Sequence, residues 1–164
     1  MKEGGKLVVV MGVSGCGKTT LGKALAAHLG LPFYDGDDYH TAGNIAKMSA
    51  GIALDDEDRK GWLERLNELI KTHGRTGAVV ACSALKQSYR KILDQDLDRV
   101  IWVYLEGSYE AILDRLKQRE GHYMPPSLLR SQFEALEPPR DAIRVPVGFT
   151  VAEALEKIGL EARS

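Results

Sequence analysis

The sequence predicts an α/β fold of three layers, a parallel sheet with helices on both faces. Three observations carry this: short continuous apolar runs, segments of helical period between them, and a glycine-rich loop joining the first run to the first helical segment. Strand and helix patterns keep alternating, and no internal repeat or Ser-, Gly- or Pro-rich linker divides the chain, so its 164 residues are read as one domain, 1–164. Ligands of such folds bind at the carboxyl ends of the strands, which is where the chemistry is sought.

The elements follow in order. Lys6 to Met11 reads as a fully buried strand, and Thr19 to Leu29 as a helix with Leu21, Leu25 and Leu29 on one face, closed by Gly30. Pro32 to Tyr34 is a short second strand. Asp55 to Lys71 is an amphipathic helix with Trp62, Leu63, Leu66, Leu69 and Ile70 on one side. Ala78 to Cys82 is a third strand and Arg99 to Leu105 a fourth. Ser108 can cap a helix running to about Arg119, and Ser127 a further short helix ended by Pro138-Pro139. Ile143 to Val147 reads as an edge strand despite Pro146, and Val151 to Leu160 as the last helix.

Composition narrows the class of function. Hydrophobic residues make up 44% and charged residues 27%, ordinary globular usage that excludes disorder and low complexity. Lysine and arginine total 22 against 23 acids, so no overall charge points to a nucleic acid or a membrane surface as partner. Two cysteines, Cys16 and Cys82, without CxxC spacing, indicate neither a disulfide framework nor structural zinc, and a reducing cytoplasm is the expected location. The apolar run Leu7 to Met11 falls far short of the ~20 residues that span a bilayer.

Gly12-Val13-Ser14-Gly15-Cys16-Gly17-Lys18-Thr19 fits G-x-x-x-x-G-K-[ST] between a strand and a helix. Its glycines let successive N–H groups point inward at phosphate oxygens, and the helix N-terminus adds its positive dipole end. Lys18 is placed to reach the outer phosphates of a nucleoside triphosphate, and the Thr19 hydroxyl suits a magnesium ion bridging them.

Asp35-Gly36-Asp37 follows the second strand, at the same sheet edge as this loop. One carboxylate can hold magnesium through water and the other accept the proton of an attacking hydroxyl. An Asx-type turn capping the next helix is the competing reading. Asp55, Asp56, Glu57 and Asp58 read as favourable first-turn acids, whereas Arg59, one turn in, suits a bidentate contact to a substrate carboxylate. After the third strand, Cys82-Ser83-Ala84-Leu85-Lys86 brings Ser83 and Lys86 to the functional edge, with Arg90 four residues on. Arg115 and Arg119 share a helix face ahead of Gly121-His122-Tyr123-Met124-Pro125-Pro126, a composition that suits a closing lid. His40 and His122 are substrate candidates. His28 and His73 read as ordinary helix-end residues.

Taken together, MGVSGCGKTT, DGDDYHTAGNIAKMSAGIALDDEDRKGWL, CSALKQSYR and RLKQREGHYMPPSLLRSQFEALEPP resemble the gluconate kinase (gluconokinase) family of small P-loop kinases, from about Leu7 to Pro139. The resemblance implies a nucleoside-monophosphate-kinase-like fold with a five-stranded parallel sheet and a mobile lid, here about 119–136. It implies ATP and Mg2+ as cofactors, transfer of the γ-phosphoryl group to the 6-hydroxyl of D-gluconate, and a homodimer as the common assembly. Carried over motif by motif, Gly12 to Thr19, and Thr20 beside them, bind phosphates, with Thr19 and Asp35 toward the metal. Asp37 sits at the acceptor hydroxyl, and Lys18, Asp37 and Arg119 act on the transfer. Arg59, Lys86 and Arg90 become candidates for the gluconate carboxylate or hydroxyls, beside the substrate candidates His40 and His122, and Arg115 and Arg119 become the lid pair, with Arg115 packing on the base. Arg140 to Phe149 departs from the family in being short and in lacking an acidic residue after Val145-Pro146-Val147. The residues themselves leave two alternatives, a shikimate kinase or other small hydroxy-acid kinase, and a non-enzymatic ATP-dependent switch or adaptor.

Overall fold

Apolar runs in this chain become strands wherever both of their faces find cover. The computed structural model describes residues 6–118 and 126–162. Its strands are β1 (Leu7–Met11), β2 (Phe33–Asp35), β3 (Ala78–Ala81), β4 (Ile101–Glu106) and β5 (Ile143–Pro146), all parallel, in the order β2-β3-β1-β4-β5. Every residue of β1 and β3 is buried, as expected of central strands covered on both faces.

Helices α1 (Lys18–Leu29), α2 (Ala42–Ser49), α3 (Asp56–Thr72), α4 (Gln87–Leu93), α5 (Tyr109–Gln118), α6 (Pro126–Ala135) and α7 (Val151–Ala162) connect and cover the strands. Helix α1 packs with α7, and α3 with α4. The apolar face read from the sequence of α3 is the buried one. Trp62, Leu63, Leu66 and Ile70 are all inside, each such side chain stabilising the fold by about 1.5–3 kcal/mol on burial. Leu69 is only partly buried against this core. Asn67 in the same helix donates to the carbonyls of Leu93 and Gln95 at 2.8 and 3.1 Å, so the α3–α4 seam carries a satisfied polar group.

Most boundaries fall within two residues of the sequence reading, and the departures have local causes. Asp55 caps α3 from outside through a capping box with Asp58. The short second strand runs one residue later than Pro32 to Tyr34, because a strand gains nothing from a proline that lacks an N–H to donate; the Pro32 carbonyl still accepts from Val79 N at 2.9 Å. Helix α6 is described from Pro126, with Ser127 inside it and not at a cap. β5 is the expected edge strand. Helix α7 runs on to Ala162, and Thr150 and Glu153 close a reciprocal cap at its start, at 3.1 and 2.8 Å. Helix α2 was not expected at all. Thr41 starts it by accepting from Asn44 N at 3.1 Å. Of the expected lid, 119–125 lies outside the described residues, and most of the rest is α6. No described helix is long and apolar enough to cross a membrane.

Candidate active site

The loop between β1 and α1 sits on buried Val13 and Cys16, with Gly15 and Gly17 at φ 84° and 101°, left-handed values that a side chain would strain. Lys18 folds back over the loop and donates to the Val13 carbonyl at 3.1 Å. Gly12 N donates to Ser83 O at 3.3 Å, tying this loop to the one after β3. On the other flank, a Cβ on Gly17 would lie 3.3 Å from the Arg115 guanidinium, and Arg115 Nη1 is 3.4 Å from the Val147 carbonyl.

Asp35 ends β2 and makes the Asx-type turn while keeping its second oxygen on Thr19. Its Oδ1 accepts from Asp37 N at 3.0 Å, the Asx-type cap of the single 3-10 turn Gly36–Tyr39, while Oδ2 accepts from the Thr19 hydroxyl at 3.3 Å. The paired oxygens of Thr19 and Asp35 beside the curled loop fit magnesium, which takes few protein ligands and leaves its remaining positions to phosphate and water. Among the described residues no group of three or more His, Cys, Asp or Glu side chains gathers as a closed metal site.

Lys18, Asp37, His40 and Arg59 line one cavity of about 390 Å³, with Ser14, Ser83 and Gln132 at its phosphate-loop end and Ile45, Met48 and Ile52 at its outer rim. The Asp37 side chain is 77% exposed within it. Partial desolvation against the cavity wall pushes its carboxyl above the ordinary carboxylate range; Lys18 opposes the rise, and Asp35 and Asp38 add to it. His40 stacks on Trp62, ring centroids 4.0 Å apart, and burial together with the Arg59 charge lowers its imidazole to about 4. Trp62 is itself anchored by Nε1 donating to Gly36 O at 2.8 Å. Arg59 Nη1 donates to Leu54 O at 2.7 Å and to the Tyr89 hydroxyl at 3.0 Å, which fixes the guanidinium at the cavity wall.

Other expected substrate residues lie elsewhere. Lys86 pairs with Asp56 at 3.0 Å over a neighbouring depression, and the Tyr89 hydroxyl donates to the same carboxylate. Arg90 is a correction. It is buried beneath the loop after β3, donating to Ala84 O at 2.7 Å and Glu137 O at 2.8 Å, and Glu137 in turn accepts from Gln87 N and donates its own N–H to Leu85 O. CSALK, YR and LEPP therefore form one structural staple, which holds Ala84 at φ 46°. Arg119 and His122 lie outside the described residues.

Two residues of the site were missed in the sequence. Gln132 on α6 grips the phosphate loop, its Oε1 accepting from Ser14 N at 2.7 Å and its Nε2 donating to Ser14 Oγ at 2.9 Å. Asn44 supports His40 from behind, at 3.3 Å from its Nδ1. The SQFEALE run contained the first and the Thr41 cap announced the helix bearing the second, but neither pattern names a partner far along the chain.

A phosphate loop, a carboxylate facing an acceptor cavity and a five-stranded parallel sheet in this order define a P-loop small-molecule kinase, with ATP as cosubstrate. The shikimate kinase family model matches residues 14–141. The thermosensitive gluconokinase of Escherichia coli K12 is 48% identical over 160 residues, covering 93% of this chain and 85% of that protein. A crystal structure of a gluconokinase from Sinorhizobium meliloti 1021 superposes with a TM-score of 0.89 at 41% identity, covering 99% and 96% of the two chains. A shikimate kinase from Acinetobacter baumannii shares the fold, with a TM-score of 0.58 at 21% identity over 98% and 94%. The chain belongs to the gluconokinase family, inside the broader shikimate-kinase-like group of P-loop kinases.

Proposed function

We propose that this enzyme transfers the γ-phosphoryl group of ATP to the 6-hydroxyl of D-gluconate, giving 6-phospho-D-gluconate and ADP. Relatives named gluconokinase at 40–48% identity carry the substrate. The observation that carries the chemistry is Asp37, open to a cavity that also holds Lys18.

Lys18 and the loop from Gly12 to Thr20 bind and orient the phosphates. Thr19 and Asp35 would supply the oxygens that hold magnesium, which would neutralise charge developing on the phosphates. Asp37 takes the proton of the acceptor hydroxyl at its carboxylate, a task suited to a carboxyl whose affinity for protons is raised. Arg59 and His40 orient the sugar acid, Arg59 toward its carboxylate. Lys86, paired with Asp56, is proposed at the rim of the acceptor side, and Arg115 beside the base. Arg119 and His122 keep their proposed lid roles on the sequence alone. Arg90 is reassigned from substrate contact to holding the loop after β3. A homodimer and a cytoplasmic location are the proposed setting.

A panel tests the reading. ADP release is measured with ATP and magnesium alone and with gluconate, shikimate or AMP as acceptor. Release stimulated by gluconate, with shikimate and AMP at the no-acceptor rate, is expected; stimulation by shikimate would move the chain to the other branch of its fold group.

A further inference from the structure

We propose that Asn44 is a positioning residue that locks His40 as a neutral imidazole protonated on Nε2, so that the acceptor cavity always presents a hydrogen-bond donor beside Asp37. The proposal rests on the acceptor reading of that cavity and extends it to a residue that does not line it.

The argument is one of donors and acceptors. Asn44 is 4% exposed, and its backbone N–H is fixed by the Thr41 cap at 3.1 Å. Its side-chain Nδ2 lies 2.9 Å from the Asp58 carbonyl. A carbonyl can only accept, so the amide must be turned with its NH2 toward α3. The second proton of that NH2 faces His40 Nδ1 at 3.3 Å, which therefore has to offer a lone pair. A neutral imidazole with Nδ1 as acceptor carries its proton on Nε2. The ring lies stacked on Trp62, centroids 4.0 Å apart, with its Nδ1 edge toward Asn44.

The surroundings also oppose a second proton. Protonating Nδ1 would set two donors against each other at Asn44. The groups facing the ring are Arg59 from α3, whose charge repels an imidazolium, Asp37 from the 3-10 turn, whose charge attracts one, and Lys18 across the same cavity. Asp58 is turned away, its carboxylate engaged by Lys47 at 2.8 and 2.9 Å and by Asp55 N. Burial and Arg59 prevail, and His40 titrates only near 4. Its Nε2 stands 3.9 Å from Asp37 Oδ1, too far for a direct hydrogen bond and open to a substrate oxygen between the two. A hydroxyl placed there can donate to Asp37 and accept from His40. An ammonium or amide N–H in the same place meets a donor and is rejected, which makes the Asn44–His40 pair a determinant of specificity for an oxygen-rich acceptor.

The test is a long-range 1H–15N correlation spectrum of the full chain, which separates the two neutral tautomers and the imidazolium. His40 is assigned from the spectrum of His40→Gln. The expected result is the Nε2–H tautomer at pH 7, with no titration between pH 8 and 5. Asn44→Ala should mix the tautomers, and Asn44→Asp should draw the proton to Nδ1. In kinetics Asn44→Ala should raise KM for gluconate only about twofold, because a mixed population still offers the Nε2 donor in roughly half of the molecules, with KM for ATP unchanged. His40→Gln, which retains a donor near the Nε2 position, should keep more activity than His40→Ala. An Nδ1–H or charged His40 in the unaltered protein at pH 7 overturns the proposal, and of the variants this reading needs only His40→Gln, for the assignment, to fold. The Nε2–H tautomer in a protein that does not phosphorylate gluconate would instead sink the acceptor reading and, with it, the positioning role.

Discussion

Asp35 and Asp37 are two residues apart and are made different by what they touch. Asp35 is held by Asp37 N and the Thr19 hydroxyl, whereas Asp37 opens into the cavity and is the carboxylate proposed to meet the acceptor. Asp37→Asn is therefore expected to lower kcat at least ~100-fold with KM for ATP unchanged, as steady-state kinetics would read, because the amide keeps the shape and loses the base. Lys18→Ala should abolish detectable transfer with an unaltered circular dichroism spectrum, since its amine serves phosphate charge and not the core. Lys18, Thr19, Asp35 and Asp37 were legible because each lies within a contiguous motif whose spacing fixes its geometry. Arg90 was not. Its partners, Ala84 and Glu137, stand on opposite sides of it in sequence, and an arginine near an expected site looks the same from sequence whether it faces a substrate or a carbonyl.

Among the elements, the strands and long helices could be read because burial imposes a period on them. Helix α2 could not. It has eight residues, and its Ile45 and Met48 face the cavity rim instead of the core, so no inward apolar stripe marks it. What holds it is polar: the Thr41 cap, Asn44 on Asp58, and the Lys47–Asp58 pair. Among the described residues, helix α6 hydrogen-bonds to the phosphate loop through Gln132. Removing it in Gln132→Ala deletes two hydrogen bonds, worth about 1–3 kcal/mol together. Amide exchange in Pro126–Ala135 should then speed up while β1 and β3 keep their protection, as exchange mass spectrometry would resolve. Unchanged exchange in α6 would mean that its apolar contacts alone keep it docked.

At the scale of the molecule, the order β2-β3-β1-β4-β5 sets β1 between β3 and β4, so the loops after β1 and β3 meet, and Gly12 hydrogen-bonds to Ser83. The parallel class followed from alternation, whereas the strand order depends on pairings between residues some 70 positions apart, such as Leu7 with Ala78, and no local pattern encodes those. The rim of the cavity adds a thermodynamic consequence. Ile45 and Ile52 are 51% and 52% exposed and Met48 37%, an apolar fringe around a site for a water-loving sugar acid. A polar sugar acid offers such side chains little to bind, and closure of protein surface over them when the site fills would take apolar area out of water. Covering roughly 200 Å² of it would change the heat capacity by about −0.1 kcal/mol/K. Calorimetric titration of gluconate into the enzyme loaded with a non-hydrolysable ATP analogue, repeated between 10 and 35 °C, should give a binding enthalpy that grows steadily more favourable on warming. A rigid cleft that takes the same polar ligand without closing would show an enthalpy flat with temperature.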